Sequence, residues 1–524
     1  MPQKYTQIKE NIRSQSLKAK LIIRDECNVK IEGLDLSTRK KLVDRFKYEI
    51  PGARFTPAVK LGRWDGKVSF FSLGGSSFIN LLPDIIPFLD SEGYDVELQD
   101  DREHSIAIEF DGIQEDTFAH RLWPVGHPAA GKPVMLRDYQ VDIINGFLEN
   151  PQSVQEVATG AGKTLMTASL SLMVEKYGRS IVIVPNKDLV KQTEADYKNL
   201  GLDVGVYFGD RKEVGRMHTI CTWQSLNVLL KNSEGRNSED EPASFRLVKD
   251  PKDFIIDDMV DGVALVMVDE VHMAKSDVLK TLLTGVFAKV PIRWGLTGTV
   301  PKEDYAQVSI MCSLGAVVGK LSASDLQEAG HLAQCHVNIV QLMDTVEYKD
   351  YQSELKFLVT NKERLAYIAK VINKISDTGN TLILVDRIET GKMLQVELST
   401  LFSLLSDKPD VVFVNGSTKS TERKENYDEV ATSTNKIIVA TYGVAAVGIN
   451  IPRIFNLVLL EPGKSFVRVI QSIGRGIRKA EDKDSVEIYD ITSNCKFAKR
   501  HLTKRKAFYK EANYPFTVEK VEWR

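Results

Sequence analysis

From about Arg137 onward the chain alternates between two kinds of segment. Short β-branched runs without polar alternation recur: "SIVIVP" (Ser180–Pro185), "GVALVMVDE" (Gly262–Glu270), "RWGLTGT" (Arg293–Thr299), "TLILVD" (Thr381–Asp386), "DVVFVNG" (Asp410–Gly416), "KIIVATYG" (Lys436–Gly443), "FNLVLLE" (Phe455–Glu461) and "SVEIYDI" (Ser485–Ile491). Longer amphipathic stretches separate them. Runs apolar on both faces suit strands buried on both sides, and strands alternating with helices predict α/β architecture with parallel sheets. Such strands can build one large sheet or two smaller ones. The rhythm breaks between about Gly319 and Asn361, which predicts two α/β domains in tandem, residues 129–320 and 321–524.

The first 128 residues follow another pattern. "AKLIIRDECNVKIEG" (Ala19–Gly33) reads as paired strands, and "LSTRKKLVDRFKYEI" (Leu36–Ile50) as a helix capped by Ser37 or Thr38 with Leu42, Val43 and Phe46 inward. "LLPDIIPFLDSEGY" (Leu81–Tyr94) reads as a second helix. Between them, "RFTPAVKLGRWDGKVSFF" (Arg54–Phe71) contains Asp65-Gly66, the favoured pair for a two-residue hairpin turn. Turn chemistry leaves Arg54, Lys60, Arg63, Trp64 and Lys67 unexplained. A small α+β domain, residues 1–128, is expected, joined onward through the Pro/Gly-rich "PVGHPAAGKP" (Pro124–Pro133).

Composition adds exclusions. At 524 residues the chain exceeds one ordinary core. No apolar run approaches the roughly 20 residues of a membrane span, and the start lacks a signal peptide's apolar centre, so a cytoplasmic protein without a membrane partner is expected. Five scattered cysteines (Cys27, Cys221, Cys312, Cys335, Cys495) argue against a disulfide framework and a zinc site. The net charge of −2 is uninformative, but its distribution is not. "KFAKRHLTKRKAFYK" (Lys496–Lys510) is basic and aromatic, which fits either a solvated helix face or a polyanion contact. "NSEGRNSEDEPASF" (Asn232–Phe245) reads as an acidic surface insertion.

Candidate chemistry centres on "ATGAGKT" (Ala158–Thr164). A glycine loop between strand and helix turns backbone N–H groups toward phosphates, a lysine reaches the β/γ-phosphates and a hydroxyl holds magnesium. Val157 stands where the strict pattern has its first glycine. "VMVDEVH" (Val266–His272) then places Asp269 at a strand end, where a carboxylate holds magnesium, and Glu270 beside it to deprotonate the attacking water. "QSIGRGIRK" (Gln471–Lys479) puts Arg475 and Arg478 on one helix face, as cations for the charge of phosphoryl transfer or as a surface salt-bridge helix.

In order, "LRDYQ", "ATGAGKT", "VPNKDLVKQ", "TWQSL", "DEVH", "LTGT", "LILVDRIETG", "ATYGVAAVGINIP" and "QSIGRGIRK" resemble the motif set of superfamily-two helicases from Leu136 to Lys479. The resemblance implies two tandem RecA-like parallel-sheet domains preceded by a small α+β DNA-binding domain, using ATP and Mg2+. It implies nucleotide contacts from Arg137, Gln140, Thr159, Gly160, Ala161, Gly162, Lys163, Thr164, His272, Gly448 and Gln471. Asp269 and Thr164 would hold the metal, Lys163, Glu270, Arg475 and Arg478 would serve hydrolysis, and Thr297 and Thr299 would couple it to the bound strand. Lys187, Gln192, Thr222, Gln224, Arg387, Thr441 and Gly443 fall in motifs that grip one strand's backbone. Asn450 replaces the family's ribose-contacting acid, and "DEVH" departs from the D-E-A-D form of many RNA helicases.

Before this motor, the "RFTPAVKLGRWDGKVSFF" segment and the helix after it resemble the front domain of UvsW-type phage helicases. Arg63, Trp64 and Lys67 become candidate DNA contacts, with Trp64 either stacked on a base or packed in a core. That family implies an enzyme of recombination, replication or repair. It would migrate Holliday-type junctions, regress forks or displace strands, as a monomer or weak oligomer beside single-strand-binding or recombination proteins, in the host cytoplasm if phage-encoded. An RNA helicase, a duplex translocase that opens nothing, and an ATP-gated binding switch are the alternatives.

Overall fold

The computed structural model describes residues 17–524 except 104–106, 126, 128, 234–253, 273–276, 405–409, 446–452, 466–468, 470, 471, 475, 478, 479 and 481. The acidic insertion therefore lies almost wholly outside the described residues. So do Gly448, Asn450, Gln471, Arg475 and Arg478. The chain divides into two compact units, Met1–Gln155 with Thr164–Gly319, and Glu156–Lys163 with Lys320–Arg524.

At the front, β1 (Leu17–Ile23), β2 (Asn28–Glu32), β5 (Ser76–Phe78) and β6 (Tyr94–Asp100) form a sheet in the order β5-β2-β1-β6. β1 runs antiparallel to β2 and parallel to β6. Helices α1 (Leu36–Arg45) and α2 (Leu82–Ser91) contribute Leu42, Ile85 and Leu89 to its core. The cap of α1 is Asp35, whose carboxylate accepts from Thr38 N at 2.8 Å, one residue before the helix rather than at Ser37 or Thr38. This core also takes Tyr305, Val308 and Cys312 from helix Asp304–Leu314 of the following α/β region. Glu26 N donates to Ala288 O at 2.9 Å and Asn80 Nδ2 to Met311 O at 3.0 Å, extending the same junction.

The expected hairpin is not formed at Asp65-Gly66. The antiparallel partner of β4 (Lys67–Ser69) is β3 (Lys47–Glu49), and residues 50–66 between them carry a 3-10 turn (Ala53–Phe55) and a helical turn (Pro57–Lys60). Pro57 at the first helical position suits that turn and cannot donate to a strand ladder. Asp65 instead accepts from Lys67 N at 3.1 Å and pairs with Lys47 at 2.7 Å, while Gly66 has φ 76°.

The first α/β sheet has eight strands in the order β10-β9-β11-β8-β12-β13-β7-β14. They are β7 (Gln152–Val157), β8 (Arg179–Val184), β9 (Val204–Phe208), β10 (Arg211–Lys212), β11 (His218–Thr222), β12 (Val263–Asp269), β13 (Ile292–Thr297) and β14 (Ala316–Leu321). β9, β11, β8, β12 and β13 are mutually parallel. Helix α3 (Asp138–Leu148) precedes β7, α4 (Lys163–Val174) connects β7 to β8, and α5 (Lys187–Asn199) connects β8 to β9.

A second sheet of seven strands runs β17-β18-β16-β19-β20-β15-β21. These are β15 (Gln334–Leu342), β16 (Thr381–Val385), β17 (Asp410–Val414), β18 (Lys436–Thr441), β19 (Asn456–Leu460), β20 (Ser485–Ser493) and β21 (Phe516–Val521), all parallel. Helices α6 (Tyr351–Thr360), α7 (Lys362–Ser376) and α8 (Lys496–Glu511) belong to this unit. The stretch that breaks the sequence rhythm, 319–361, is thus not irregular. It holds β15, paired on both sides, whose polar residues obscured the strand pattern. Both large sheets have the RecA-like form, and no helix among the described residues is long and apolar enough to cross a membrane.

Candidate nucleotide and nucleic-acid sites

The glycine loop follows β7 directly. Val157 is the buried last residue of that strand, so the position where the strict pattern has glycine is extended backbone here. Gly160 at φ 95° and Gly162 at φ 81° take the left-handed conformations that any other residue would adopt only under strain. Thr159 and Ala161 are buried, and α4 begins at Lys163, with Thr164 in its first turn. Such a loop opening a helix presents N–H groups and the positive end of the helix dipole to an anion.

Upstream, Gln140 is buried in the first turn of α3, and its Oε1 accepts from Arg137 N at 3.0 Å. Arg137 donates from Nη1 to the Tyr139 hydroxyl at 2.8 Å and lies 5.9 Å from that ring's centroid. Tyr139 was not singled out from sequence; a phenol beside a guanidinium is a flat surface of the kind that stacks on a base.

Asp269 ends β12 and Glu270 follows at φ 58°. Glu270 N donates to Asp269 Oδ1 at 2.9 Å, and His272 Nδ1 lies 3.6 Å from Glu270 Oε2. The register pairs Asp269 with Leu296, which brings Thr297, the last residue of β13, beside the acid pair. Thr297 Oγ1 donates to Thr299 O at 2.9 Å, so the two threonines form one rigid turn. Both are buried. Sequence reading missed Asp196 on α5. Burial pushes its carboxyl up to about 6, against the opposing pull of a hydrogen bond from Thr164. Nothing in the local sequence signals that contact.

For magnesium, the Thr164 hydroxyl and Asp269 carboxylate are hard oxygen donors. One or two protein oxygens with substrate phosphates is the usual supply for that ion. Among the described residues no cluster of three His, Cys, Asp or Glu side chains offers a rival cage, and the five cysteines are free and buried.

The expected strand-gripping residues fall at strand ends. β11 pairs Thr222 with Val184, the last residue of β8, and exposed Lys187 opens α5 three residues later. Gln192 is half-buried on α5, and Gln224 is exposed in helix Trp223–Ser233. The second sheet repeats the pattern: β18 pairs Thr441 with Val385, the last residue of β16, and Arg387 follows two residues on. Arg387 donates to Gln352 Oε1 at 3.2 Å, and Gly443 is exposed with open space around it.

In the front unit Arg63 and Lys67 are exposed. Trp64 is half-exposed, its indole N–H donating to Lys67 O at 2.9 Å. Phe55 and Leu61 beside them are 66% and 65% exposed, and Arg54 lies over the Phe55 ring.

Residues 18–99 match the family model "DNA helicase UvsW, N-terminal", 133–302 the model "Type III restriction enzyme, res subunit", and 363–480 the model "Helicase conserved C-terminal domain". The chain is 24% identical over 518 residues to the ATP-dependent DNA helicase uvsW of Enterobacteria phage T4, covering 94% of each. Among solved structures it is similar to the DNA-bound Type ISP restriction-modification enzyme LlaBIII (TM-score 0.54, 15% identity, 75% of this chain and 32% of that one). It is also similar to RNA-bound Dbp5 of S. cerevisiae (TM-score 0.50, 14% identity, 74% and 90%). The last two share a fold while holding different nucleic acids, so the fold alone does not name the substrate. The front domain and the two motor domains, matched in that order along one chain, place this protein among the UvsW-like helicases of superfamily two.

Proposed function

We propose that this ATP-dependent DNA helicase remodels branched DNA, driving junction migration, fork regression or strand displacement in recombination, replication or repair. The division into a front domain (1–128) and two motor domains (129–320, 321–524) is part of this reading. The observation that supports it most is the shared core of the front sheet and helix Asp304–Leu314, with Tyr305 and Val308 packed among Leu81 and Phe70. A basic surface so fixed moves with the first motor domain, as a part that meets a junction must.

Lys163 and the N–H groups of Thr159 to Gly162 take the ATP phosphates. Thr164 and Asp269 supply oxygens for Mg2+, which would neutralise charge on the transferred phosphoryl group. Glu270 accepts the proton of the attacking water, His272 and Gln471 serve nucleotide binding, and Arg475 and Arg478 act on the developing charge. Arg137 and Gln140 hold the adenine, and Gly448 joins the residues that bind the nucleotide. Thr297 and Thr299 pass the change to Lys187, Gln192, Thr222 and Gln224 in one motor domain, while Arg387, Thr441 and Gly443 serve the other. Recombination or single-strand-binding proteins are the partners this role implies.

Strand displacement on a four-way junction, a simple fork and an RNA duplex, with and without ATP, tests the reading. Junction and fork are expected to be opened only with ATP, and preference for RNA would replace it with an RNA helicase. At the front, Arg63→Ala/Lys67→Ala should weaken junction binding about tenfold or more at low salt and unchanged melting temperature, and each lost phosphate contact should make binding less salt-dependent, by about 0.9 in the slope of log K against log salt. Trp64→Ala losing melting temperature without affinity would assign the indole to packing alone.

A further inference from the structure

Helix α8 contains seven Lys and Arg residues against the single acid Glu511. They divide by face. Arg505 points inward, donating to Asp490 at 2.8 and 3.0 Å and to Gly463 O at 2.7 Å, and Tyr509 joins the same carboxylate at 2.7 Å. Lys496, Lys499, Arg500, Lys504 and Lys510 are exposed, and among the described residues none of the five is in an ion pair. A solvated helix face ordinarily interleaves acids with its bases; this one does not.

The helix is also anchored with unusual care for a surface element. Glu354 of α6 is buried, and its two oxygens accept from Phe497 N at 3.0 and 3.1 Å and from Ala498 N at 2.8 Å. The helix N-terminus is therefore already satisfied by a carboxylate, and any anion bound here must meet the side chains. One turn earlier on α6, Tyr351 packs edge-on to Phe497 (6.1 Å) and His501 (5.1 Å). Lys496 and Arg500 lie over the Phe497 ring at 5.7 and 5.9 Å. The Phe497 ring is thus covered by cations, which fits it for positioning charge and not for stacking bases. Gln352, next to Tyr351, accepts from Arg387, so α6 links the exposed face of α8 to a residue already expected to hold a strand.

We infer that the exposed face of α8 is a second DNA-backbone contact, continuous through α6 with Arg387. From Lys496 to Lys510 the helix rises about 21 Å, and a strand of duplex DNA presents a phosphate about every 3.4 Å along its axis, so the face spans roughly six phosphates. Its charge and lack of hydrogen-bonding selectivity suit a sugar-phosphate chain of any sequence. The inference rests on the DNA reading above.

The test is Lys499→Gln/Arg500→Gln/Lys510→Gln in the full chain. Equilibrium binding to linear duplex and to single-stranded DNA is measured without ATP across salt concentrations. Three lost phosphate contacts should lower the slope of log K against log salt by about 2.7 for duplex or by about 2 for single strands, and the strand type whose slope falls by its own full amount is the one α8 holds. At low salt the affinity should drop on the order of 100-fold. Equal charge removal on α7 (Lys362→Gln/Lys370→Gln/Lys374→Gln) controls for net charge, and the melting temperature controls for folding. Unchanged slope and affinity, or a loss no larger than the α7 control, would overturn the inference. So would lost binding to polyglutamate with DNA binding intact, which would mark an acidic protein partner. Because no ATP is present, DNA binding through α8 in a chain that hydrolyses no ATP would sink the motor reading and leave this contact standing.

Discussion

Glu270→Gln should reduce DNA-stimulated ATP turnover by about 100- to 10,000-fold, the span of a lost general base, while DNA affinity without nucleotide stays as it was. The amide keeps the shape of the carboxylate and cannot take a proton from water. Backbone geometry gives this residue more weight than its place in a motif does. It holds φ 58° as a non-glycine residue, a conformation that costs of the order of 1–3 kcal/mol and persists only where its surroundings enforce it. Asp269 contributes by accepting the Glu270 N–H at 2.9 Å, which fixes the peptide between the two acids. Glu270→Gly would relieve the conformation while removing the carboxylate, so it should lose turnover as fully without lowering the melting temperature. Steady-state hydrolysis with forked DNA and thermal unfolding of both variants check this pair. Turnover within a fewfold of the parent chain in Glu270→Gln would remove this side chain from the chemistry.

The sequence pattern was most informative where burial is purely apolar. All eight β-branched runs named from the sequence are strands; six are buried along nearly their whole length, where side chains facing two dry layers leave no room for polar alternation, while edge strand β17 and β20 are partly open. β7 escaped notice because Ser153 and Gln155 are polar yet buried, Gln155 donating from Nε2 to Ile143 O at 2.6 Å. Hydrogen bonds formed across the fold are invisible to local periodicity. β21, with "FTVEKV" half open to solvent, was missed for the opposite reason. In the nucleotide site, residue types and order were readable, whereas the contact of Thr164 with Asp196 arises from α4 and α5 packing side by side. The Asp65-Gly66 turn shows the limit of a two-residue signal. Pairing across 17 intervening residues, set by the Lys47–Glu49 strand, overrode it.

Replacing Arg364 by alanine should cost about 3–5 kcal/mol, because it strands two acids inside the second motor domain. Arg364 is fully buried on α7. It donates to Asp344 Oδ2 at 3.2 Å, Glu461 Oε1 at 2.7 Å and Leu358 O at 2.6 Å. Ser493 Oγ (2.7 Å) and Trp523 Nε1 (3.0 Å) also donate to Asp344, and Thr492 Oγ1 (3.2 Å) to Glu461, so the acids are held by donors from β20, its end and the chain terminus. Burial pushes the Glu461 carboxyl above its ordinary value, with Arg364 and Arg505 pulling it back. A carboxyl raised on folding binds protons more tightly in the folded state. The stability this contributes is present below the ordinary glutamate value and is lost as pH rises through the folded one. Deleting Arg364 removes the opposing pull, so the window widens upward and the variant's deficit should be larger at pH 8 than at pH 5. Glu461→Gln in the Arg364→Ala background should recover part of the loss at pH 8 and little at pH 5. Urea unfolding of the single and double variants at both pH values reads this directly, and equal deficits would show that Glu461 does not titrate in the core. The functional stake is position: Glu461 holds φ 45° at the end of β19 and opens the segment that leads to Arg475 and Arg478. A variant folded at low temperature should therefore still lose ATP turnover if this buried network sets where that segment leaves the sheet.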